Sequence, residues 1–377
     1  MANPLIDVQK HGQSIWFDNI SRDLITTGEL RRMVENDGLL GVTSNPAIFE
    51  KALASGVGYD PATKALVLQG VEEPKDIFEH LAIQDIQLAT DIFYPVYRQT
   101  EGRDGFISME VSPHLANDTE ATAEEARRLH KAICRENLMI KVPATTAGIP
   151  AIRQLISEGI NINVTLLFSV DMYESAARAY MEGLEKRQLA GGDITRVASV
   201  ASFFVSRVDT LVDQKLEEVQ GKNAAEIGRL FGKIAVANSK LAYLRYQELS
   251  ATEQWQGLAA RGARPQRLLW ASTSTKNPDY SKTLYVDELI GPDTVNTVPD
   301  DTFHAFKTGG TVRTTLTEDV DTAREAVQAL EKVGVSMKEV TDQLLAEGVK
   351  KFSDAFDQLL SSVEQKRESS LGLSKSR

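Results

Sequence analysis

The chain has 377 residues, 53 acidic against 42 basic, for a net charge of −11. That balance argues against broad nucleic-acid or anionic-membrane binding, leaving room only for a local basic pocket. A single cysteine, Cys134, excludes an internal disulfide and a cysteine-based zinc cage, and no run reaches the roughly 18 apolar residues of a membrane span. Cys134 reads as a small buried filler. Met1–Lys10 lacks an apolar signal core, so the cytoplasm is the expected compartment.

Taken in chain order, short apolar and β-branched runs cover Ser14–Ile20, Leu39–Asn45, Gly105–Val111, Leu138–Ala144, Ile162–Phe168, Val197–Phe203 and Leu268–Thr273. A weaker eighth covers Thr294–Val298. Several are almost continuously apolar, as parallel strands covered on their outer face should be. Helical patterns lie between them. Thr122 with Glu125 reads as a capping box opening a helix through Ala126, Leu129 and Ile133. Asp171–Lys186 carries an apolar face, and another helix follows Arg207 through Val208, Leu211, Val212 and Leu216. Eight alternating units favour a single closed (β/α)8 TIM barrel over an open sheet.

The intervals Asn45–Gly105 and Phe203–Leu268 are too long for simple crossovers and read as extra helices outside the barrel. Beyond the eighth strand, Ser336 with Glu339 reads as a second capping box. Val340, Leu344, Phe352, Phe356, Leu359 and Val363 then form a helical stripe, with Gly348 as a break. One catalytic domain over 1–366, including this C-terminal helical extension, is expected, with a disordered tail over 367–377.

No glycine-rich phosphate loop, dinucleotide fingerprint or H-E-x-x-H motif is present, so no cofactor and no metal is expected. His114 follows a strand and reads as a solvated loop residue. The informative feature is polarity inside the apolar runs. Lys141 sits mid-strand in Leu138–Ala144, where an ammonium is costly unless paired or neutral. Removing a lysine from water favours its neutral amine, a nucleophile for carbonyl carbon. A snorkelling edge-strand lysine is the bland alternative, and a barrel has no edge strand.

Asp18 ends the first run and Glu110 lies in the third, both where a barrel presents its C-terminal mouth. Each could instead serve as a helix cap or structural ion pair. Thr43, Ser44, Asn45 and Pro46 close the second run with turn chemistry. Asn163 and Thr165 share one strand face, a pattern suited to hydroxyl recognition or a held water. Arg207 and Lys276 follow the sixth and seventh runs, where barrels often hold phosphate, although solvated loop cations would look the same.

These residues resemble the transaldolase family. Gly41–Phe49, Asn137–Thr145, Asn163–Ser169 and Ser202–Arg207 match its motifs in order, and the likeness spans Ile15 to Phe356. The length and the Trp270–Pro299 stretch resemble the longer bacterial subfamily. The resemblance implies that Lys141 forms a Schiff base with the ketose C2 carbonyl. It implies that Asp18 takes the C4 hydroxyl proton, and that Glu110 shuttles protons with a water held by Thr165. Asn45 and Asn163 would hold dihydroxyacetone hydroxyls, Ser202 and Phe204 would line the site, and Arg207 would bind phosphate. The segment after the seventh strand departs from shorter members, which place an arginine there. Here Ser272 and Lys276 stand instead.

The implied reaction transfers dihydroxyacetone from sedoheptulose 7-phosphate to glyceraldehyde 3-phosphate, without metal or organic cofactor. Phosphorylated sugars are thus the expected partners, and the residues leave monomer and homodimer both open. Rivals are an aldolase releasing free dihydroxyacetone, a silent barrel scaffold and a phosphate-binding isomerase.

Overall fold

The structure is a computed structural model that describes residues 3–219 and 224–371. Eight parallel strands form its centre: β1 (Gln13–Phe17), β2 (Gly41–Val42), β3 (Phe106–Glu110), β4 (Leu138–Pro143), β5 (Ile162–Leu167), β6 (Ser199–Phe204), β7 (Arg267–Ala271) and β8 (Thr294–Val298). They pair in sequence order, and β8 returns to β1 through Gln13–Phe17 against Thr294–Val298, closing the barrel. Outward residues such as Ile140, Val142, Val164 and Phe203 are fully buried beneath the helices. That double cover explains why these strands read as continuous apolar runs.

The barrel interior is polar at its floor. Asp104 accepts from Ser14 Oγ at 2.8 Å and from Trp16 Nε1 at 2.9 Å, and pairs with Arg267 at 2.9 Å. These side chains satisfy one another, as charge buried at the closed end must be.

The two long intervals are helical, as the sequence suggests. Pro46–Ala54, Asp60–Leu68 and Pro74–Gln99 fill the first. Ser206–Glu218, Ala224–Ile227, Ile234–Ser250 and Glu253–Ala259 occupy the second. Among the described residues no helix is long and apolar enough to cross a membrane.

Local details differ from the sequence expectation. The helix expected at Thr122 spans Thr119–Ile133, capped by Asp118, whose carboxylate accepts from Ala121 N at 3.0 Å. Thr122 instead donates to the Leu115 carbonyl. Glu125 turns inward to accept from Ser112 N at 2.6 Å and to pair with Lys75 at 2.7 Å. Tertiary demands therefore override the local capping pattern. Cys134 is exposed, not buried, and ends this helix in the left-handed conformation with φ of 50°.

Ser336 does cap the terminal helix, accepting from Glu339 N, and this helix runs unbroken over Met337–Ser370. Gly348 is thus a packing position, not a break: a Cβ there would lie 3.1 Å from Leu166 Cδ2. The helix also continues past 366 to Ser370, and residues 372–377 of the expected tail lie outside the described residues.

Candidate active site

Strand register assembles the site. Lys141 pairs with Glu110 of β3 on one side and with Asn163 of β5 on the other. Phe17 pairs with Val42 and with Val298, so Asp18, Thr43 and Pro299 leave their strands together at the same rim. A cavity of about 660 Å³, partly continuous with solvent, opens at this C-terminal end. Asp18, Asn45, Lys141, Thr165, Ser202, Phe204, Arg207, Ser272 and Lys276 all line it. After β4 the chain turns sharply, and a Cβ at Gly148 would lie 2.0 Å from the Pro143 carbonyl oxygen. Only glycine allows that turn beside the lysine strand.

Lys141 is 4% exposed, and its Nζ donates to the Ser44 carbonyl at 2.9 Å. Glu110 Oε2 lies 3.6 Å from that nitrogen, near enough for an ion pair yet too far for a hydrogen bond. Oε2 is buried without a hydrogen-bond partner. Burial pushes the Glu110 carboxyl up to about 7, against the opposing pull of the Lys141 charge. A carboxyl so placed can both give and take a proton near neutral pH.

Asp18 accepts from Thr43 Oγ1 at 2.7 Å, and Thr43 Oγ1 lies 2.6 Å from Thr297 Oγ1. Burial raises its pKa too, opposed first by Lys141 and then by the Thr43 bond. It is no helix cap; Ser21 caps the next helix, Arg22–Thr26. Asp18 thus faces the cavity as a carboxylate fixed in orientation.

The expected hydroxyl-binding residues divide. Asn45 caps the helix Pro46–Ala54 with its amide oxygen, 3.0 Å from Ile48 N. That bond fixes the side chain and leaves its NH₂ as a donor at the cavity edge. Asn163, by contrast, is fully buried beneath the cavity lining. Its amide accepts from Ser202 Oγ at 2.6 Å and donates to Ser108 Oγ at 3.0 Å. In this conformation Asn163 orients Ser202 and ties β3, β5 and β6 together.

Thr165 Oγ1 is buried and lacks a hydrogen-bond partner, as does Glu110 Oε2. The next residue, Leu166, takes φ of 61°, where the β5–β6 register shifts. A β-branched or bulky residue rarely adopts that backbone, so the irregularity costs energy just where Thr165 is aimed inward.

Cations gather at the rim. Arg207 stands in the first turn of Ser206–Glu218, with its guanidinium carbon 5.3 Å from the Phe204 ring centre. Burial lowers its pKa, opposed by Glu347 and Asp18. Lys276 donates to Ser274 Oγ at 2.7 Å. Its pKa is lowered by partial burial, then by repulsion from Arg207, Lys351 and Lys51. Ser272 takes φ of 55°, with its hydroxyl 2.9 Å from Ser206 Oγ. It holds the Lys276 loop against the Arg207 helix. His114, by contrast, bonds Asp357 in an exposed setting away from the cavity.

Sequence reasoning missed several cavity residues. Thr43 was read only as turn chemistry; it and Pro299 follow strand ends, and Thr297 lies near the end of β8, where the register brings it to the mouth. Lys51 and Lys351 do not line the cavity but act on the charge of Lys276, and in sequence they resemble other surface lysines. Phe352 reads as one more apolar position in a helical stripe, yet it lines the cavity, its ring centre 5.9 Å from Lys141 Nζ. No periodicity distinguishes it from Phe356.

Comparison with known proteins agrees with this geometry. The family described as Transaldolase/Fructose-6-phosphate aldolase matches residues 15–363. "Transaldolase 2" of Nostoc sp. is 48% identical over 372 residues, covering 97% of each chain. "Transaldolase" of Acidothermus cellulolyticus is 46% identical over 369 residues, 98% of each chain. "Transaldolase" of Neisseria gonorrhoeae is 46% identical over 356 residues, 94% of this chain and 98% of that one. With a family match across nearly all of the barrel and relatives of this similarity over nearly their full length, the chain belongs to the transaldolase/fructose-6-phosphate aldolase family.

Proposed function

We propose that the chain is a transaldolase of the non-oxidative pentose phosphate pathway, acting in the cytoplasm. It moves dihydroxyacetone from sedoheptulose 7-phosphate to glyceraldehyde 3-phosphate, giving erythrose 4-phosphate and fructose 6-phosphate. The observation that carries this reading is a buried lysine between a carboxyl group and a cavity ringed by cations. A lone cysteine suits the reducing compartment.

The chemistry follows from the positions. Lys141 as free amine attacks the ketose C2, and the carbonyl oxygen leaves as water after taking protons. Glu110, poised near neutral pH, supplies and recovers those protons. The unpartnered Thr165 hydroxyl and Glu110 oxygen suit a water shared between them. The iminium then draws electrons from the C3–C4 bond. Asp18 takes the C4 hydroxyl proton as that bond breaks, and an aldehyde departs. The remaining enamine stays on Lys141, where Asn45 and Ser202 offer hydrogen bonds to its hydroxyls. Its C3 attacks the acceptor aldehyde, Asp18 returns the proton, and water releases the new ketose. Arg207 and Lys276, with Lys51 and Lys351 nearby, hold the sugar phosphate.

Borohydride trapping with fructose 6-phosphate tests this. Intact mass and peptide mapping should show a reduced three-carbon adduct on Lys141, absent from Lys141→Ala. No adduct from folded protein at neutral pH would overturn the Schiff-base mechanism. Adding acceptor then separates transfer from simple release of dihydroxyacetone.

A further inference from the structure

The terminal helix Met337–Ser370 contributes more than cover. Two of its residues, one turn apart, meet the barrel mouth. Gly348 lies against the end of β5, where a Cβ would stand 3.1 Å from Leu166 Cδ2 and 3.5 Å from Phe168 Cε2. The missing side chain lets the helix descend onto the strand end. One turn on, Phe352 projects into the cavity, 7% exposed, with its ring centre 5.9 Å from Lys141 Nζ. The lysine nitrogen therefore has two unlike sides. Ser44 carbonyl and Glu110 occupy the barrel-wall side. An aromatic ring occupies the cavity side.

We propose that Phe352 is a specificity-determining residue that sets whether the bound three-carbon fragment is transferred or lost to water, resting on the Schiff-base reading above. The enamine on Lys141 has two fates. In transfer, its C3 forms a bond to the acceptor aldehyde carbon, and the aldehyde oxygen takes a proton. In loss, C3 takes a proton from solvent instead. Water then adds to C2 of the resulting iminium, the C2–N bond breaks, and free dihydroxyacetone leaves with the lysine regenerated. A ring carries no proton to give, and it displaces the solvent that would reach the fragment from the mouth. Its face also lies within reach of the nitrogen, which favours the positive iminium. The Glu110 side remains available for the water that ends each productive turnover.

The test is a partition ratio. Wild type, Phe352→Ala and Phe352→Leu are supplied with fructose 6-phosphate, with and without erythrose 4-phosphate. Free dihydroxyacetone and sedoheptulose 7-phosphate are measured together, and the Lys141 adduct is trapped with borohydride in each chain. Phe352→Ala should raise the ratio of release to transfer by about tenfold or more, and Phe352→Leu by several-fold. A ring that served only packing would lower both products together and leave the ratio alone. A ratio within about twofold of wild type in a variant that still forms the adduct overturns the proposal. If the alanine variant does not fold, the leucine variant decides by the same criterion. Absence of adduct in wild type would instead overturn the Schiff-base reading itself.

Discussion

Glu110 and Lys141 face each other across neighbouring strands, and their environments set opposite demands. Glu110 has its carboxyl pushed from the ordinary 4.5 to about 7 by burial. The folded chain therefore holds this proton where the unfolded chain has released it. Stability contributed by Glu110 is full below about 4.5 and falls as pH rises towards 7. Glu110→Gln should flatten that part of the stability-against-pH curve, read by denaturant titration, and lower kcat by about 10²-fold or more. Asp18→Asn should separate two steps. Trapping with dihydroxyacetone should still label Lys141, while ketose cleavage falls by about 10² to 10⁴-fold. An Asp18→Asn chain that cleaves ketose normally would remove Asp18 from the mechanism. These three residues were legible because each puts charge at or within an apolar strand, a pattern with few structural uses. Asn163 was legible as an inward polar residue, but nothing in the sequence distinguished a cavity contact from the bridge it makes between Ser108 and Ser202.

At the scale of elements, the irregular β5 and the terminal helix meet at Leu166 and Gly348. Leu166 keeps a left-handed backbone while its side chain packs against the helix glycine. Gly348→Val should force the helix away from the strand end. We expect a loss of about 1–3 kcal/mol of stability by chemical denaturation, from overpacking. Lys141 should still be trapped, with a higher share of free dihydroxyacetone as Phe352 lifts from the cavity. The strands were readable because burial on both faces writes a continuous apolar run. The Thr122–Glu125 pattern misled because a buried glutamate was needed by Lys75 and the Ser112 backbone, contacts distant in sequence. Gly348 misled for a related reason: a glycine serving helix-to-strand approach looks, in one dimension, like a stop.

Over the whole molecule, an acidic chain of net charge −11 gathers four cations near one rim. Arg207, Lys276, Lys51 and Lys351 come from different segments and meet only in the folded barrel. A field of this kind favours phosphorylated sugars and weakens with salt. KM for fructose 6-phosphate should rise several-fold between about 0.02 and 0.2 M salt, while any turnover of unphosphorylated fructose should stay flat. Equal salt responses for both sugars would remove the phosphate assignment. Barrel closure was legible from eight alternating units. The convergence of the rim was not, since Lys51 and Lys351 stand far apart in sequence and carry no motif.

The helix bearing Phe352 follows all eight strands in the chain, so it leaves a ribosome after them. Domains tend to fold from the N-terminus as they emerge. All eight strands, and the reactive amine with them, can therefore be in place before the aromatic cover exists. A nascent or C-terminally clipped barrel would carry a lysine competent to capture ketose but open to water on its cavity side. Such a chain would lose the three-carbon half of each ketose as free dihydroxyacetone. Placing the cover C-terminal to all eight strands makes economical carbon transfer depend on the docking of that helix.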